Sequence, residues 1–275
     1  MFVVQKKRIL LIHYSSSNMK IIIAGYGFVG KAVFNALKDK HEIVIVDPKY
    51  SEDKIKDHHD ADGLIICAPT PTTEDGICDV NIIANIMDTV PIFMPVLIKS
   101  TVTPGIVEGF EELYSEHSIV YSPEFLRANS ADRDFINQKY IVLGGEDPEC
   151  FWQELFQTTL PNCNLIFNCS AKEACLIKYA SNSFLALKTS YFNQIFDICL
   201  NTGMEFNVVR QILAHDVRIG SDHTLVPGPD GERGWGGACF PKDTAAFIRW
   251  ATTVEQSVSI LEEAVKYNRQ IRKNT

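Results

Sequence analysis

Cys239 stands in the loop Gly234-Trp235-Gly236-Gly237-Ala238-Cys239-Phe240-Pro241-Lys242-Asp243, whose glycines free the backbone around a single thiol. The pattern predicts a helix beginning at Asp243–Thr244. A thiol just ahead of a helix N-terminus feels the positive end of the helix dipole, which favours the thiolate. A nucleophile needs that bias, because an ordinary thiol of pKa ~8.5 is mostly protonated at neutral pH. The plainer reading makes Cys239 a small buried hydrophobe; Asp243 is expected to cap the helix under either reading. Lys178 and Asn182 are four apart on a predicted helix and share one face, with Asn193 projecting nearly the same way. Polar groups aligned on a stretch otherwise rich in Ala, Leu, Phe and Tyr could stabilise an oxyanion; a solvated helix face is the plain alternative.

A second motif, Gly25-Tyr26-Gly27-Phe28-Val29-Gly30, lies between a strand pattern and a helix pattern. In that context Gly25 permits a tight turn, Gly27 lets backbone approach a pyrophosphate, and Gly30 allows close helix–strand packing. The helix N-terminus offers free N–H groups to phosphates. Asp47 closes the second strand, where a carboxylate would accept from ribose hydroxyls and repel a 2′-phosphate, favouring NAD over NADP. Lys49, two residues on, leaves NADP open, and a glycine-rich turn without cofactor is the competing structural reading.

The elements that must position these groups are short apolar runs alternating with helical stretches, at 20–24, 43–47, 63–68, 96–100, 119–122, 140–144 and 165–168. Continuous rather than alternating apolar runs suit strands covered on both faces. The class expected is α/β, a Rossmann-type doubly wound, mostly parallel sheet followed by an α-helical domain. Ser170 with Glu173 forms a capping-box signature and Gly203 a helix stop, predicting one helix of about nine turns. Beyond it the pattern is helical except for a Gly/Pro-rich loop at 226–237, with a last helix from about Val254 carrying Val254, Val258, Leu261, Val265 and Ile271. The division expected is an extension at 1–18, a cofactor domain at 19–169 and a helical domain at 170–275. Residues 1–18 read as a dispensable extension ahead of Met19 rather than a signal peptide, with an edge strand at 8–13 as the alternative.

At 275 residues and a formal charge of −8, the chain is poorly suited to non-specific nucleic-acid binding. Its eight cysteines form no C-x-x-C pair and no zinc-finger spacing with the seven histidines. Reduced thiols in the cytoplasm and no metal site are expected, and no apolar run approaches a membrane span.

The chain resembles the UDP-glucose/GDP-mannose dehydrogenase family. The likeness is carried by Gly25–Gly30, Cys67-Ala68-Pro69-Thr70-Pro71-Thr72, Ser100-Thr101-Val102-Thr103-Pro104-Gly105 and Ser122-Pro123-Glu124-Phe125-Leu126-Arg127. Lys178-Tyr179-Ala180-Ser181-Asn182, Asp216-Val217-Arg218-Ile219-Gly220 and the run from Gly236 to Asp243 complete it, in family order. The resemblance implies a four-electron oxidation of a nucleotide-sugar C6 alcohol, UDP-glucose favoured, through a Cys239 thiohemiacetal and thioester with NAD as cofactor. It implies Lys178 and Asn182 as oxyanion stabilisers and Thr101, Glu124 and Asp243 as groups that position water or relay protons. Thr70, Thr101 and Lys242 would join the cofactor site. Phe125, Leu126, Arg127 and Gly236 would hold substrate, as would Arg218, reaching across a homodimer built on the long helix. Two departures from the family stand out: Ala128 occupies a position where a second carboxylate is usual, and the chain is expected to lack the second Rossmann-like domain, because the sequence stops near Arg272, where family members continue. A two-electron β-hydroxyacid dehydrogenase of the 6-phosphogluconate type and a half-site needing a separate partner are the rival readings.

Overall fold

The computed structural model describes residues 18–272 apart from Glu74; the candidate edge strand at 8–13 lies outside them. Its centre is a seven-stranded sheet in the order β2-β1-β3-β4-β5-β6-β7. The strands are β1 Lys20–Ala24, β2 Glu42–Val46, β3 Gly63–Ile66, β4 Val96–Ile98, β5 Ile119–Tyr121, β6 Tyr140–Gly144 and β7 Leu165–Cys169. All pairs run parallel except β5 with β6, which meet antiparallel at Tyr121 and Gly144. This is the α/β fold expected, with every strand within two residues of its predicted ends.

The continuous apolar runs have a simple cause. Side chains alternate across a strand, so Ile22, Leu64, Ile66 and Val96 enter one core layer while Ile21, Ile23, Ile65 and Leu97 enter the other. Helix α1 (Phe28–Leu37) covers the second face through Ala32, Val33 and Leu37, together with α4 (Ala131–Ile136) through Phe135 and α5 (Phe151–Thr159) through Trp152 and Phe156. The opposite face takes α2 (Asn81–Met87) and α3 (Ile106–Leu113). With both faces covered, no strand of the pair needs a polar side. Because β1 lies between β2 and β3, the connections diverge there and leave a crevice at the strands' C-terminal ends.

The long helix is α6, Ala171–Thr202, 32 residues and about 48 Å of rise. Its capping box is formed as read: Ser170 Oγ accepts from the Glu173 N–H, and the Glu173 carboxylate accepts from the Ser170 N–H at 2.8 Å. Gly203, at φ +71°, ends it in the left-handed conformation. Its first turns press on the sheet through Ala171, Ala174 and Cys175. A Cβ on Gly144 would come within 2.5 Å of the Ala174 Cβ, so glycine there permits the close approach. Farther along, α6 packs against α7 (Phe206–His215), α8 (Phe240–Thr253) and α9 (Ser259–Ile271).

Two sequence expectations fail in this half. The break before α8 is not confined to 226–237; it runs from Asp216 to Cys239. The last helix also does not start near Val254. That residue ends α8, Glu255 turns left-handed at φ +57°, and α9 begins at Ser259. Val254 and Val258 merely mimic a helical i,i+4 pair across a turn. The buried stripe of α9 is Leu261, Ala264 and Asn268. Among the described residues no helix is long and apolar enough to cross a membrane, and no group of three His, Cys, Asp or Glu could hold a metal.

Candidate active site

A cleft of about 710 Å³ runs along the C-terminal ends of β1, β3 and β4 and reaches the start of α8. The glycine-rich turn forms one end of it. Gly25 sits at φ +96°, and a Cβ on Gly30 would stand 2.0 Å from the Gly25 carbonyl oxygen, so the turn closes only with glycine at both positions. At Gly27 a Cβ would meet nothing within 4 Å, leaving an open cradle at the N-terminus of α1. Asp47 faces the cleft but is already engaged. Oδ2 accepts the Tyr26 N–H at 2.7 Å and Oδ1 the Lys49 N–H at 2.9 Å. The carboxylate thus fastens the turn to the end of β2 and keeps lone pairs for a ribose. Phe28 and Val29 line the same cleft.

Thr70 and Thr101 join the loops after β3 and β4, with Thr70 Oγ1 donating to the Thr101 carbonyl at 2.7 Å. Both face the cleft, as does Lys242.

At the other end lies a buried polar cluster built from four segments. Lys178 of α6, 2% exposed, donates to the Glu124 carbonyl and to Glu124 Oε1 at 2.8 Å. Glu124 Oε2 accepts the Leu126 N–H at 2.7 Å. One turn along α6, Asn182 Nδ2 donates to Asp243 Oδ2 at 2.6 Å, and Lys242 Nζ donates to Asp243 Oδ1 at 2.6 Å. Cys239 sits beside these groups, half-buried, as the residue capping α8. The cluster brings together Cys239, Lys178, Asn182, Asp243 and Glu124, all candidates from sequence, and Thr101 lines the same cleft.

Two expectations about it need correction. Helix α8 starts at Phe240, not at Asp243–Thr244, because Pro241 fits a first turn where its missing N–H costs nothing. Asp243 is therefore inside the helix rather than capping it; its N–H bonds to the Cys239 carbonyl, and its carboxylate turns inward to Asn182. The thiol also fails to gain the acidity expected. Burial, reinforced by the Glu124 carboxylate, pushes the Cys239 thiol above its ordinary value, against the pull of Lys178 and Lys242.

The remaining candidates make other contacts. Asn193 is fully buried but serves the loop before Trp235, accepting the Gly234 N–H at 3.1 Å. Phe125 lies 5.8 Å from Lys178 Nζ, ring centroid to nitrogen. Arg127 turns to Asp134, with Nη2 to Oδ1 at 2.8 Å, and holds that carboxyl well below its usual range. Ala128 opens a short 3-10 turn. Arg218 is exposed and bound to Asp216, away from the cleft within this chain. Gly236 is backed by the Arg272 guanidinium, which a Cβ would meet at 2.4 Å.

Sequence reasoning missed Lys99. It is 3% exposed, donates to Ser122 O and Oγ at 3.2 and 3.1 Å, and lies near the Phe135 and Phe156 rings. Burial lowers its ammonium to about 8. A lysine inside the apolar run 96–100 was the available signal. Lys31, whose Nζ lies 5.0 Å from the Tyr50 ring centroid at the cleft mouth, carried none.

Comparison with known proteins identifies the family of the two halves. Residues 49–159 match the NAD binding domain of the UDP-glucose/GDP-mannose dehydrogenase family, and residues 172–270 match its central domain. A UDP-glucose 6-dehydrogenase (YwqF) of Bacillus subtilis is 34% identical over 221 residues, 76% of this chain and 48% of that protein. The chain spans about half the length of the curated relatives it matches. A UDP-glucose dehydrogenase structure from Pyrobaculum islandicum superposes with a TM-score of 0.82 at 27% identity, over 94% of this chain and 70% of that one. A 3-hydroxyisobutyrate dehydrogenase from Mycobacterium tuberculosis superposes at 0.70 over 91% and 93% of the two chains. At 14% identity it shares the fold alone.

Proposed function

Because the chain belongs to the UDP-glucose/GDP-mannose dehydrogenase family, we propose that it oxidises a nucleotide-sugar primary alcohol to the carboxylate, UDP-glucose being favoured. The observation that carries this reading is the convergence of Cys239, Lys178, Asn182, Asp243 and Glu124 at one end of a cleft whose other end is the glycine-rich turn. The cleft suits NAD: Gly27 leaves room for a pyrophosphate, the α1 N-terminus supplies N–H donors, and Asp47 keeps acceptor capacity for a ribose. When bound, NAD accepts the hydride in each of the two oxidations.

The chain's own residues do the rest. Lys178 and Asn182 present an ammonium and an amide where a carbonyl oxygen gains charge, and being fixed in a buried site they need little reorganisation to do so. Cys239 adds to the aldehyde carbon, forming the C–S bond while its proton passes to the oxygen. Its thiol is protonated at rest, so the reaction needs a group to receive that proton; Glu124 and Asp243 are the carboxylates beside it. Oxidation of the thiohemiacetal gives a thioester, and water then releases the acid and restores the thiol. With Ala128 after the Phe125-Leu126 pair, Glu124 and Asp243, together with Thr101 on the same cleft, are left to orient that water. A two-electron alcohol oxidation has no use for Cys239.

The domain division at 169/170 and a homodimer belong to the same reading. Ile177, Phe184, Tyr191 and Ile198 recur every seven residues on α6 and are 40%, 63%, 56% and 53% exposed. Such a stripe suits a second copy of the helix, and the copy would let Arg218 serve the partner's cleft. Sedimentation of Phe184→Glu as a monomer against a dimeric parent tests this; dimers in both exclude it.

The activity is tested by incubating the chain with UDP-glucose, GDP-mannose or UDP-N-acetylmannosamine and NAD. Two NADH per sugar acid, lost in Cys239→Ser, is the expected result. One NADH per sugar with an accumulating aldehyde or keto product, or no turnover on any of the three, refutes it.

A further inference from the structure

The segment between Trp235 and α8 is too rich in glycine to fix the thiol it carries. Only Gly236, Gly237 and Ala238 separate Trp235 from Cys239, and Gly237 lies at φ +77°. Glycine backbones visit many conformations, so the thiol's position depends on the anchors at the two ends of the segment. Downstream the anchor is α8, held by Asp243 to Asn182. Upstream it is Trp235, and its backbone is gripped from an unexpected side.

Asn268, in the last turn of α9, is 1% exposed. Its Oδ1 accepts the Trp235 N–H at 2.8 Å and its Nδ2 donates to the Trp235 carbonyl at 2.9 Å. One side-chain amide thus satisfies both backbone groups of one buried residue. Asn193 of α6 takes the preceding N–H, that of Gly234, and Ser190 Oγ accepts from the Trp235 indole at 2.9 Å. A Cβ at Gly234 would stand 2.2 Å from Asn268 Oδ1, which shows how closely the backbone lies on the amide.

We infer that Asn268 is a positioning residue for the nucleophile: through Trp235 it sets where Cys239 stands relative to Lys178 and Asn182. It touches no reacting atom. The inference rests on the reading of Cys239 as the nucleophile, but its physical content is the order of the 235–239 segment, which can be measured without turnover.

The test uses the full chain, with Asn268→Leu removing both hydrogen bonds at nearly constant shape and Asn268→Asp keeping the acceptor for the Trp235 N–H. Leu261→Ala, a cavity on the same helix away from the loop, controls for lost stability. Iodoacetamide labelling of the Cys239 peptide is followed by mass spectrometry below the melting transition. Losing two buried hydrogen bonds is expected to raise labelling about tenfold in Asn268→Leu, with Asn268→Asp between it and the parent and Leu261→Ala within about twofold of the parent. In parallel kcat for sugar oxidation should fall while KM for NAD holds. If Asn268→Leu does not fold, Asn268→Asp decides alone: faster labelling supports the clamp and parental labelling overturns it. Unchanged labelling in every folded Asn268 variant, or an equal rise in Leu261→Ala, also overturns it. Should the parent oxidise no nucleotide sugar, the proposed activity fails while the labelling still decides the clamp.

Discussion

Replacing Lys178 by methionine should destabilise the chain by stranding a carboxylate rather than by losing a surface contact. Lys178 and Glu124 are 2% and 7% exposed, with Nζ and Oε1 2.8 Å apart. Removing one partner of such a pair costs about 3–5 kcal/mol, because the remaining charge keeps its desolvation penalty without compensation. Glu124 retains the Leu126 N–H on Oε2, which places the loss near the lower figure. About 3 kcal/mol lowers the melting temperature of a domain this size by roughly 6–12 °C. Adding Glu124→Gln removes the stranded charge, so the double variant should regain about half the loss, while both variants stay inactive because the site has lost its ammonium. Calorimetry and denaturant unfolding read stability, and NADH production reads activity. A Lys178→Met chain that melts like the parent, or a double variant less stable than Lys178→Met alone, would refute the argument.

The other predictions concern single groups. Burial and Glu124 raise the Cys239 thiol, so its alkylation should climb roughly tenfold per pH unit from 7 to 8; a plateau near pH 7 would show a thiolate already formed. Gly27→Ala meets no atom and should leave the melting temperature unchanged while weakening NADH binding measured by fluorescence, whereas Gly30→Ala must push on the Gly25 carbonyl and should lower both. Equal melting of the two variants would contradict the turn geometry. Burial brings Lys99 down to about 8, while an unfolded lysine titrates near ~10.4. Between those values the unfolded chain binds more protons, so this group's penalty is full below the window and is relieved as pH rises through it. Lys99→Met should remove that rise from a plot of melting temperature against pH; identical slopes in variant and parent would exclude it.

Much of the protein was legible in short stretches of sequence, because local periodicity and local chemistry encode local structure. Apolar runs marked the strands, Ser170 with Glu173 and Gly203 marked both ends of a 32-residue helix, and the glycines of 25–30 marked a tight strand-to-helix turn. Those signals need no distant partner. Where two local patterns competed, sequence misled: Val254 and Val258 keep helical spacing across a turn, and Pro241 moved the α8 start ahead of Asp243. Candidate groups could likewise be named from sequence, since Cys239, Lys178 and Asn182 declare their chemistry by type. Their partners were not. Lys178 meets Glu124 from 54 residues away and Asn182 meets Asp243 from 61, because the loop after β5 and the first turn of α8 both pack against the flank of α6. Asn193, which shared the face of Lys178 and Asn182 by spacing, was drawn instead to the backbone of Gly234. Likewise the acidity of Cys239 followed from burial beside Glu124, not from the helix end that sequence could see. Spacing fixes which way a side chain points from its own helix; only packing decides what stands opposite it and how much water is left between.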